Sequence, residues 1–238
     1  MSEYWTEQIN KGHYDIVFEK GLLKNRGFQS NWHLTTFNKI KDYLLKDIEH
    51  LDYATGPGTL LGKFSKSNSI GVDLSTNQIK FAKDKYKNFE FYTLEEFDYR
   101  NYPEKFDLIT VIGLLEFLSD EEIEELFYVL RFMLKNNGKL VLTTPNFKVS
   151  LKIILLISQL IGKTKYNQIY KSKFTRSSFS DYLLKQKNFN LVKVENILNV
   201  GAFFSIFSHS LSSIVEKKIS SFFNSSVGFV LFAVLTKK

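Results

Sequence analysis

A glycine-rich turn with an acidic residue on either side is the stretch of this sequence best suited to chemistry. Gly56 and Gly58 lie in the turn Thr55–Thr59, Asp52 precedes it, and Asp73 follows 21 positions after Asp52. Glycines let the backbone approach a ligand closely, and a helix that follows the turn offers the positive end of its dipole. A carboxylate at the later position can accept hydrogen bonds from a ribose diol. The pattern therefore predicts a ribose-bearing ligand at this turn.

The spacing of the glycines separates two ligand classes. A dinucleotide fingerprint needs the order Gly-x-Gly-x-x-Gly. Read from Gly56, its third position is Leu61. Read from Ala54, the first glycine is missing and the third position is Thr59. The dinucleotide pattern therefore fails in both registers.

The alternative pattern is acid-x-Gly-x-Gly-x-Gly, and residues 52–58 match it except at Ala54. This stretch resembles motif I of the class I S-adenosylmethionine-dependent methyltransferases. Further stretches that resemble the family follow in the family's order, at Asp73–Lys85, Phe106–Ile109, Leu114–Leu118, Leu130–Leu142 and Lys173–Thr175. The resemblance covers residues 31–200 in register. Each motif alone is weak, but their shared order and spacing are specific.

The resemblance implies S-adenosyl-L-methionine as the cofactor, S-adenosyl-L-homocysteine as its product, and no metal. It implies that Asp52 orients the methionine end of the cofactor and that Asp73 holds the ribose. Leu74 and Glu95 are expected near the adenine, and Gly113 under the sulfonium. The implied cofactor-binding set is Asp52, Ala54, Thr55, Gly56, Gly58, Asp73, Leu74, Glu95 and Gly113.

Three departures from the family pattern bear on cofactor binding, on the catalytic residues and on the class of methyl acceptor. Ala54 replaces a glycine, but alanine is the smallest substitute, so we expect binding to be kept. Phe117 stands where many quinone-type members have histidine. Thr144–Phe147 follows the fifth strand in place of Asn-Pro-Pro-Tyr, which argues against methylation of adenine or of a glutamine amide.

Methyl transfer from a sulfonium is an in-line displacement, in which the enzyme mainly supplies proximity and orientation. A general base helps only where the acceptor atom carries a proton, as a hydroxyl does. His33 and Glu116 are the candidate catalytic residues by placement, with His13 as a weaker third. His33 lies in the helix before motif I, and Glu116 follows the fourth strand.

Hydrophobic periodicity predicts the elements that must position these residues. Strands are expected at Ile48–Ala54, Ser69–Leu74, Phe89–Thr93, Phe106–Ile112, Lys139–Thr143, Leu191–Ile197 and Gly228–Leu235. Helices are expected at Asn31–Ile48, after Thr59, after capping boxes at Ser75–Gln78 and Ser119–Glu122, and at Val149–Ile161, Ser177–Gln186 and Phe203–Phe223. This alternation predicts an α/β fold, a doubly wound, mostly parallel seven-stranded Rossmann-like sheet with helices on both faces and an inserted helical lid.

Composition is consistent with a folded domain of this kind. The 238 residues are 44% hydrophobic, which is enough for a sizeable core. We expect an N-terminal helical cap over residues 1–30 and a methyltransferase domain over residues 31–238, with substrate-side insertions at 145–180 and 201–225. The sequence contains no cysteine, which excludes disulfides and thiolate zinc sites. No secretory signal or spanning run is visible, which predicts a cytoplasmic protein.

The net charge of +7 is unevenly distributed. From Pro145 onward 14 basic and 3 acidic residues give +11, and the preceding 144 residues hold 18 and 22, giving −4. The favoured acceptor is a small molecule. A lipid or quinone acceptor with peripheral membrane contact is the alternative, as is a non-catalytic subunit that only binds S-adenosylmethionine. Nucleic acid ranks last, because 28 of the 32 basic residues are lysine rather than arginine.

Overall fold

A seven-stranded sheet forms the centre of the computed structural model, which describes residues 9–148, 170–223 and 227–238. Its strands are β1 (Glu49–Tyr53), β2 (Asn68–Asp73), β3 (Glu90–Thr93), β4 (Phe106–Ile112), β5 (Leu134–Pro145), β6 (Phe189–Ile197) and β7 (Val230–Lys237). They lie in the order β3-β2-β1-β4-β5-β7-β6. All neighbours from β3 to β5 pair in parallel, and β7 runs antiparallel to both β5 and β6. The predicted fold class is confirmed.

Helices cover both faces of the sheet. They are α1 (His13–Leu23), α2 (Phe28–Lys41), α3 (Thr59–Phe64), α4 (Thr76–Lys85), α5 (Asp120–Met133), α6 (Arg176–Leu184) and α7 (His209–Phe222). Successive residues of a strand face opposite sides, so Leu140 and Leu142 pack against α5 and α6, and Val141 packs on the other side with α1 to α4. The continuous apolar runs that predicted the central strands follow from this two-sided burial.

The topology brings the functional loops to one edge. In parallel strands the carboxyl ends meet at the same edge of the sheet, so the loops after β1, β2, β4 and β5 lie side by side. Strand β6 is antiparallel to β7, which is antiparallel to β5, so β6 also ends at this edge. We call it the carboxyl edge. It receives every cofactor-binding residue that the sequence predicts.

Helix α2 begins and ends earlier than predicted. Gly27 rather than Ser30 or Asn31 is the residue before its first turn, with φ of 129°. The Ser30 hydroxyl donates to the Gly27 carbonyl, and the Asn31 amide donates to Glu216, 185 positions away. Ser30 and Asn31, which the sequence offers as caps for a helix that starts at residue 31, therefore lie inside the first turn and do not cap it.

Of the two predicted capping boxes, one is confirmed and one is wrong. Ser119 and Glu122 exchange both bonds of the box at the start of α5. At α4, Ser75 makes no side-chain cap bond. Gln78 instead accepts from the Gly12 amide at 3.0 Å and donates to the Asn10 carbonyl at 3.1 Å, so it joins α4 to the chain before α1.

The region after β6 also differs from its prediction. The helix expected at Phe203–Phe223 is two elements, a 3-10 turn over Val200–Ile206 and α7, which begins after its cap Ser208. The predicted helix Val149–Ile161, the proposed lid, lies outside the described residues. Within the described part of the chain, no helix is long and apolar enough to cross a membrane.

Candidate functional site

Three alternate residues of the loop after β1 have left-handed backbone. The φ angles are 66° at Ala54, 55° at Gly56 and 75° at Gly58. A Cβ on Gly58 would lie 2.7 Å from the Phe91 ring, whereas one on Gly56 would meet no described atom within 4 Å. The two glycines therefore serve different purposes. Gly58 lets the loop pack on the sheet, and Gly56 leaves open space on its ligand side.

Asp52 anchors this loop from beneath. Its side chain is buried, and its two oxygens accept from the Thr55 hydroxyl at 2.7 Å and the Thr110 hydroxyl at 2.6 Å. Burial raises the pKa of Asp52 to about 6, although these hydroxyls act in the opposite direction. With both oxygens held by protein, Asp52 orients the loop, and its predicted role toward the methionine end remains a prediction.

A buried histidine that the sequence did not single out extends this network. His50 Nε2 lies 2.9 Å from Thr110 Oγ1, and Nδ1 lies 3.2 Å from Ser69 Oγ. Because the Thr110 hydroxyl donates to Asp52, its oxygen accepts from Nε2–H, and Nδ1 accepts from Ser69. Burial lowers the pKa of His50 to about 3, so the ring is neutral. His50 and Asp52 are alternate residues of β1, and this alternation is the sequence signal that could have revealed their shared hydrogen-bond network.

Asp73 connects the two loops at the carboxyl edge. Its Oδ2 accepts from the Gly56 amide and its Oδ1 from the Ser75 amide, each at 2.8 Å. Burial raises the pKa of Asp73, and the backbone amides counter that effect. Each carboxylate oxygen keeps a second lone pair, so the group can hold Gly56 in place and still accept from a ligand hydroxyl.

The surroundings of Asp73 fit a nucleoside. The buried Ser75 hydroxyl has no hydrogen-bond partner among the residues that the structure describes. Leu74 and Leu94 are exposed apolar side chains, brought together by the bond from the Leu94 amide to the Asp73 carbonyl. Glu95, also exposed, follows at the same place. Together with the open side of Gly56, these groups offer hydroxyl partners beside an apolar surface, as ribose and adenine require.

Gly113 and Glu116 lie together after β4. Gly113 has φ of 62°, and a Cβ there would lie 3.5 Å from Glu116 Oε1. The Glu116 side chain is buried and accepts from the Thr144 hydroxyl at 3.2 Å, at the end of β5. Burial raises the pKa of Glu116 to about 7. The structure thus places a carboxyl group that exchanges protons near neutrality beside the predicted sulfonium floor.

His33 has a different environment. It lies in α2 between Tyr14 and Phe37, with ring centroids at 5.7 and 5.5 Å. Burial and the neighbouring His13 lower its pKa to about 4. At neutral pH it is a far weaker base than Glu116, so of the two predicted catalytic residues Glu116 has the better-matched pKa.

An acidic residue of α1 also holds the site, and the sequence did not reveal it. Asp15 is buried and accepts from the hydroxyls of Thr59 at 2.9 Å and Tyr86 at 2.5 Å, and from the Lys85 ammonium. Thr59 is the first residue of α3, directly after Gly58. Asp15 therefore fastens the N-terminal helix to the loop that follows β1.

The fold is that of the class I methyltransferase domains, and comparisons with known proteins agree with it. Residues 51–140 match the sequence model of the family described as methyltransferase domain. An uncharacterized protein of Rickettsia prowazekii, RP028, is 28% identical over 153 residues, which are 58% of this chain and 61% of that protein. The chain thus spans about three fifths of the length of this curated relative.

Solved structures share the fold. Phosphoethanolamine N-methyltransferase 2 of Haemonchus contortus, in complex with S-adenosylmethionine, matches with a TM-score of 0.58 at 17% identity, over 99% of this chain and 59% of that one. Magnesium protoporphyrin IX methyltransferase of Synechocystis, with bound S-adenosylhomocysteine, matches at 0.59 and 14%, over 89% and 85%. A methyltransferase of Archaeoglobus fulgidus matches at 0.58 and 19%, over 85% and 93%.

The strand order and these matches define the fold of the protein, a Rossmann-like α/β domain of the class I methyltransferase type. The match to the methyltransferase domain family lies at residues 51–140, which span β1 to the middle of β5.

Proposed function

We propose that this chain moves a methyl group from S-adenosylmethionine to a small-molecule acceptor, with Glu116 as the general base. The observation that supports this role is the buried Glu116 carboxyl group beside Gly113 and Thr144 at the carboxyl edge. When bound, S-adenosylmethionine would supply a methyl group on a sulfonium, from which the neutral thioether of S-adenosylhomocysteine is a good leaving group. The chain's own residues supply orientation and take up a proton.

Each residue of the site has a defined task in this proposal. Asp73 holds the ribose and keeps the Gly56 amide in place, and Asp52 fixes the loop beneath them. Glu116 accepts the proton of an acceptor hydroxyl as the bond from its oxygen to the methyl carbon forms and the carbon–sulfur bond breaks. Thr144 donates to the Glu116 carboxylate and sets its direction. Because burial raises the pKa of Glu116 to about 7, the carboxyl group can take up a proton near neutral pH.

Single-turnover formation of S-adenosylhomocysteine tests this proposal. The protein would be incubated with S-adenosylmethionine and a panel of small phenols, hydroxy acids and amines. Glu116→Gln should lower the rate on hydroxyl acceptors about 100-fold or more, whereas Glu121→Gln, an exposed glutamate of α5, should leave it unchanged. Equal rates in wild type and Glu116→Gln would remove Glu116 from the mechanism. Binding without turnover on any acceptor would favour the non-catalytic subunit.

A second candidate, methylation of a lipid or quinone acceptor at a membrane, has one observation in its favour. The residues after β6, which ends at the same edge as the site, expose many apolar side chains. In the same assay, a long-chain quinol presented in detergent micelles would turn over faster than the soluble phenols if this candidate holds.

A further inference from the structure

A group of exposed apolar side chains lies at the end of α1 and in the segment that follows β6. We call it the apolar corner and define it by Leu23, Phe204, Ile206, Phe207, Leu211 and Ile214. Leu23 is 87% exposed and Phe207 is 75% exposed, the largest values among them. Single exposed apolar residues are ordinary, but a contiguous group marks an interaction surface.

Backbone hydrogen bonds make the corner one surface. The Gly27 amide donates to the Ser205 carbonyl at 2.7 Å, and the His209 amide donates to the Asn25 carbonyl at 2.8 Å. The Asn25 side chain adds a bond to the Ser208 hydroxyl at 3.2 Å. The turn that follows Leu23, between α1 and α2, is thereby fastened to the turn before α7, which contains Phe207.

Buried polar contacts hold the apolar residues outward. Beneath the corner, Asn31 of α2 donates to Glu216 at 2.9 Å, and Ser212 donates to the same oxygen at 2.8 Å. The Ser30 hydroxyl lies 2.9 Å from His209 Nε2. Because α7 packs on α2 through polar groups, its apolar side chains face solvent, which is the reverse of the usual amphipathic arrangement.

The charges around the corner are all positive. Lys24, Arg26, Lys217 and Lys218 are exposed, and none forms an ion pair with a described residue. Residues 20–41 contain no acidic residue, and the single one in residues 198–238 is the buried Glu216. Exposed aromatic and aliphatic side chains among unpaired basic residues complement an anionic lipid surface.

We propose that the apolar corner docks the protein on an anionic lipid bilayer, with Phe204, Ile206 and Phe207 entering the interface and the four cations contacting headgroups. The corner combines exposed apolar side chains with unpaired positive charge. The carboxyl edge then faces the membrane, since β6 ends there. This docking does not depend on the methyl transfer proposed above, and its test needs no turnover.

Flotation with vesicles tests the docking directly. The full chain would be mixed with vesicles of phosphatidylcholine alone or with 30% phosphatidylglycerol. We expect flotation with the anionic vesicles, reduced at least fivefold by 0.5 M NaCl. The pair Phe204→Ser and Phe207→Ser should reduce it at least tenfold, and the pair Lys217→Gln and Lys218→Gln at least threefold.

Matched controls separate docking from general stickiness or misfolding. Leu184→Ser removes an exposed leucine of α6, which packs on the other face of the sheet, and should leave flotation unchanged. Circular dichroism and thermal unfolding establish that each variant is folded. Equal flotation with both vesicle types, no flotation of the folded chain, or an unaffected phenylalanine variant would overturn the proposal. A dimer in sedimentation that the phenylalanine variant abolishes would also overturn it, because the corner would then bind a second copy.

Discussion

Two regions of the molecule position their residues in different ways. In the loops after β1 and β2, backbone geometry sets the site: left-handed residues, glycines and amides that point at carboxylates. Where α7 packs on α2, side chains far apart in sequence do this work, as Asn31 and Glu216 show. A site built on backbone geometry therefore leaves a recognisable pattern in the sequence, whereas a surface built on tertiary contacts does not.

Substitution of a glycine in the loop after β1 should have the largest effect on stability. We expect Gly58→Ala to lower the free energy of unfolding by about 4 kcal/mol, because it adds left-handed strain and a contact with Phe91. Gly56→Ala adds strain without a contact and should cost only about 1 kcal/mol, but it should weaken cofactor binding. Urea unfolding of both variants measures the difference. Equal losses would mean that the two glycines do the same work.

The pH dependence of stability should reveal the buried carboxyl group beneath the loop. Folding raises the pKa of Asp52 from 3.8 to about 6, so its contribution is fully present below pH 4 and is lost as pH rises through 6. We expect wild type to lose about 2 kcal/mol more than Asp52→Asn between pH 4 and 7. Urea titrations at several pH values measure this, and parallel curves for the two proteins would contradict it.

A smaller effect on stability is expected where α7 packs on α2. Asn31→Ala removes an amide that donates to Glu216 and Ser212, and should cost about 2 kcal/mol. Because this contact lies under the apolar corner and away from the loop after β1, affinity for S-adenosylmethionine should stay within about twofold. Thermal unfolding and calorimetry on the same sample test both statements. A large loss of affinity would show that the contact between α2 and α7 is coupled to the loop after β1.

The smallest effect on stability is expected at Ala54, where a glycine of the family pattern is replaced. Ala54 has φ of 66°, which glycine adopts without strain. Ala54→Gly relieves that strain but adds freedom to the unfolded chain, so we expect a net stabilisation of about 0.5 kcal/mol. Cofactor affinity should not change. A destabilised variant would mean that the methyl group of Ala54 packs usefully in the loop.

Sequence reasoning succeeded where local rules decide structure. The alternation of strands and helices predicted the sheet, and the turn at Gly56 and Gly58 led to the family whose model matches residues 51–140. The expected position of Gly113 came from the resemblance, and Glu116 was chosen by its placement after β4. Sequence reasoning failed at Ser75–Gln78, where a capping pattern is overridden by a bond from Gln78 to the chain before α1. Asp15 and His50 were missed because their partners are distant in sequence or buried in a strand. The domain division and the cytoplasmic location remain predictions.

Calorimetric titration of S-adenosylmethionine, S-adenosylhomocysteine and NAD tests the central claim most directly. We expect micromolar binding of both sulfur ligands to wild type, no binding of NAD, and loss of binding in Asp73→Ala. Asp84→Ala, an exposed aspartate of α4, serves as the matched control and should bind as wild type does. Unchanged affinity in a folded Asp73→Ala variant, or no binding to folded wild type, would contradict the account of the site at Gly56 and Asp73.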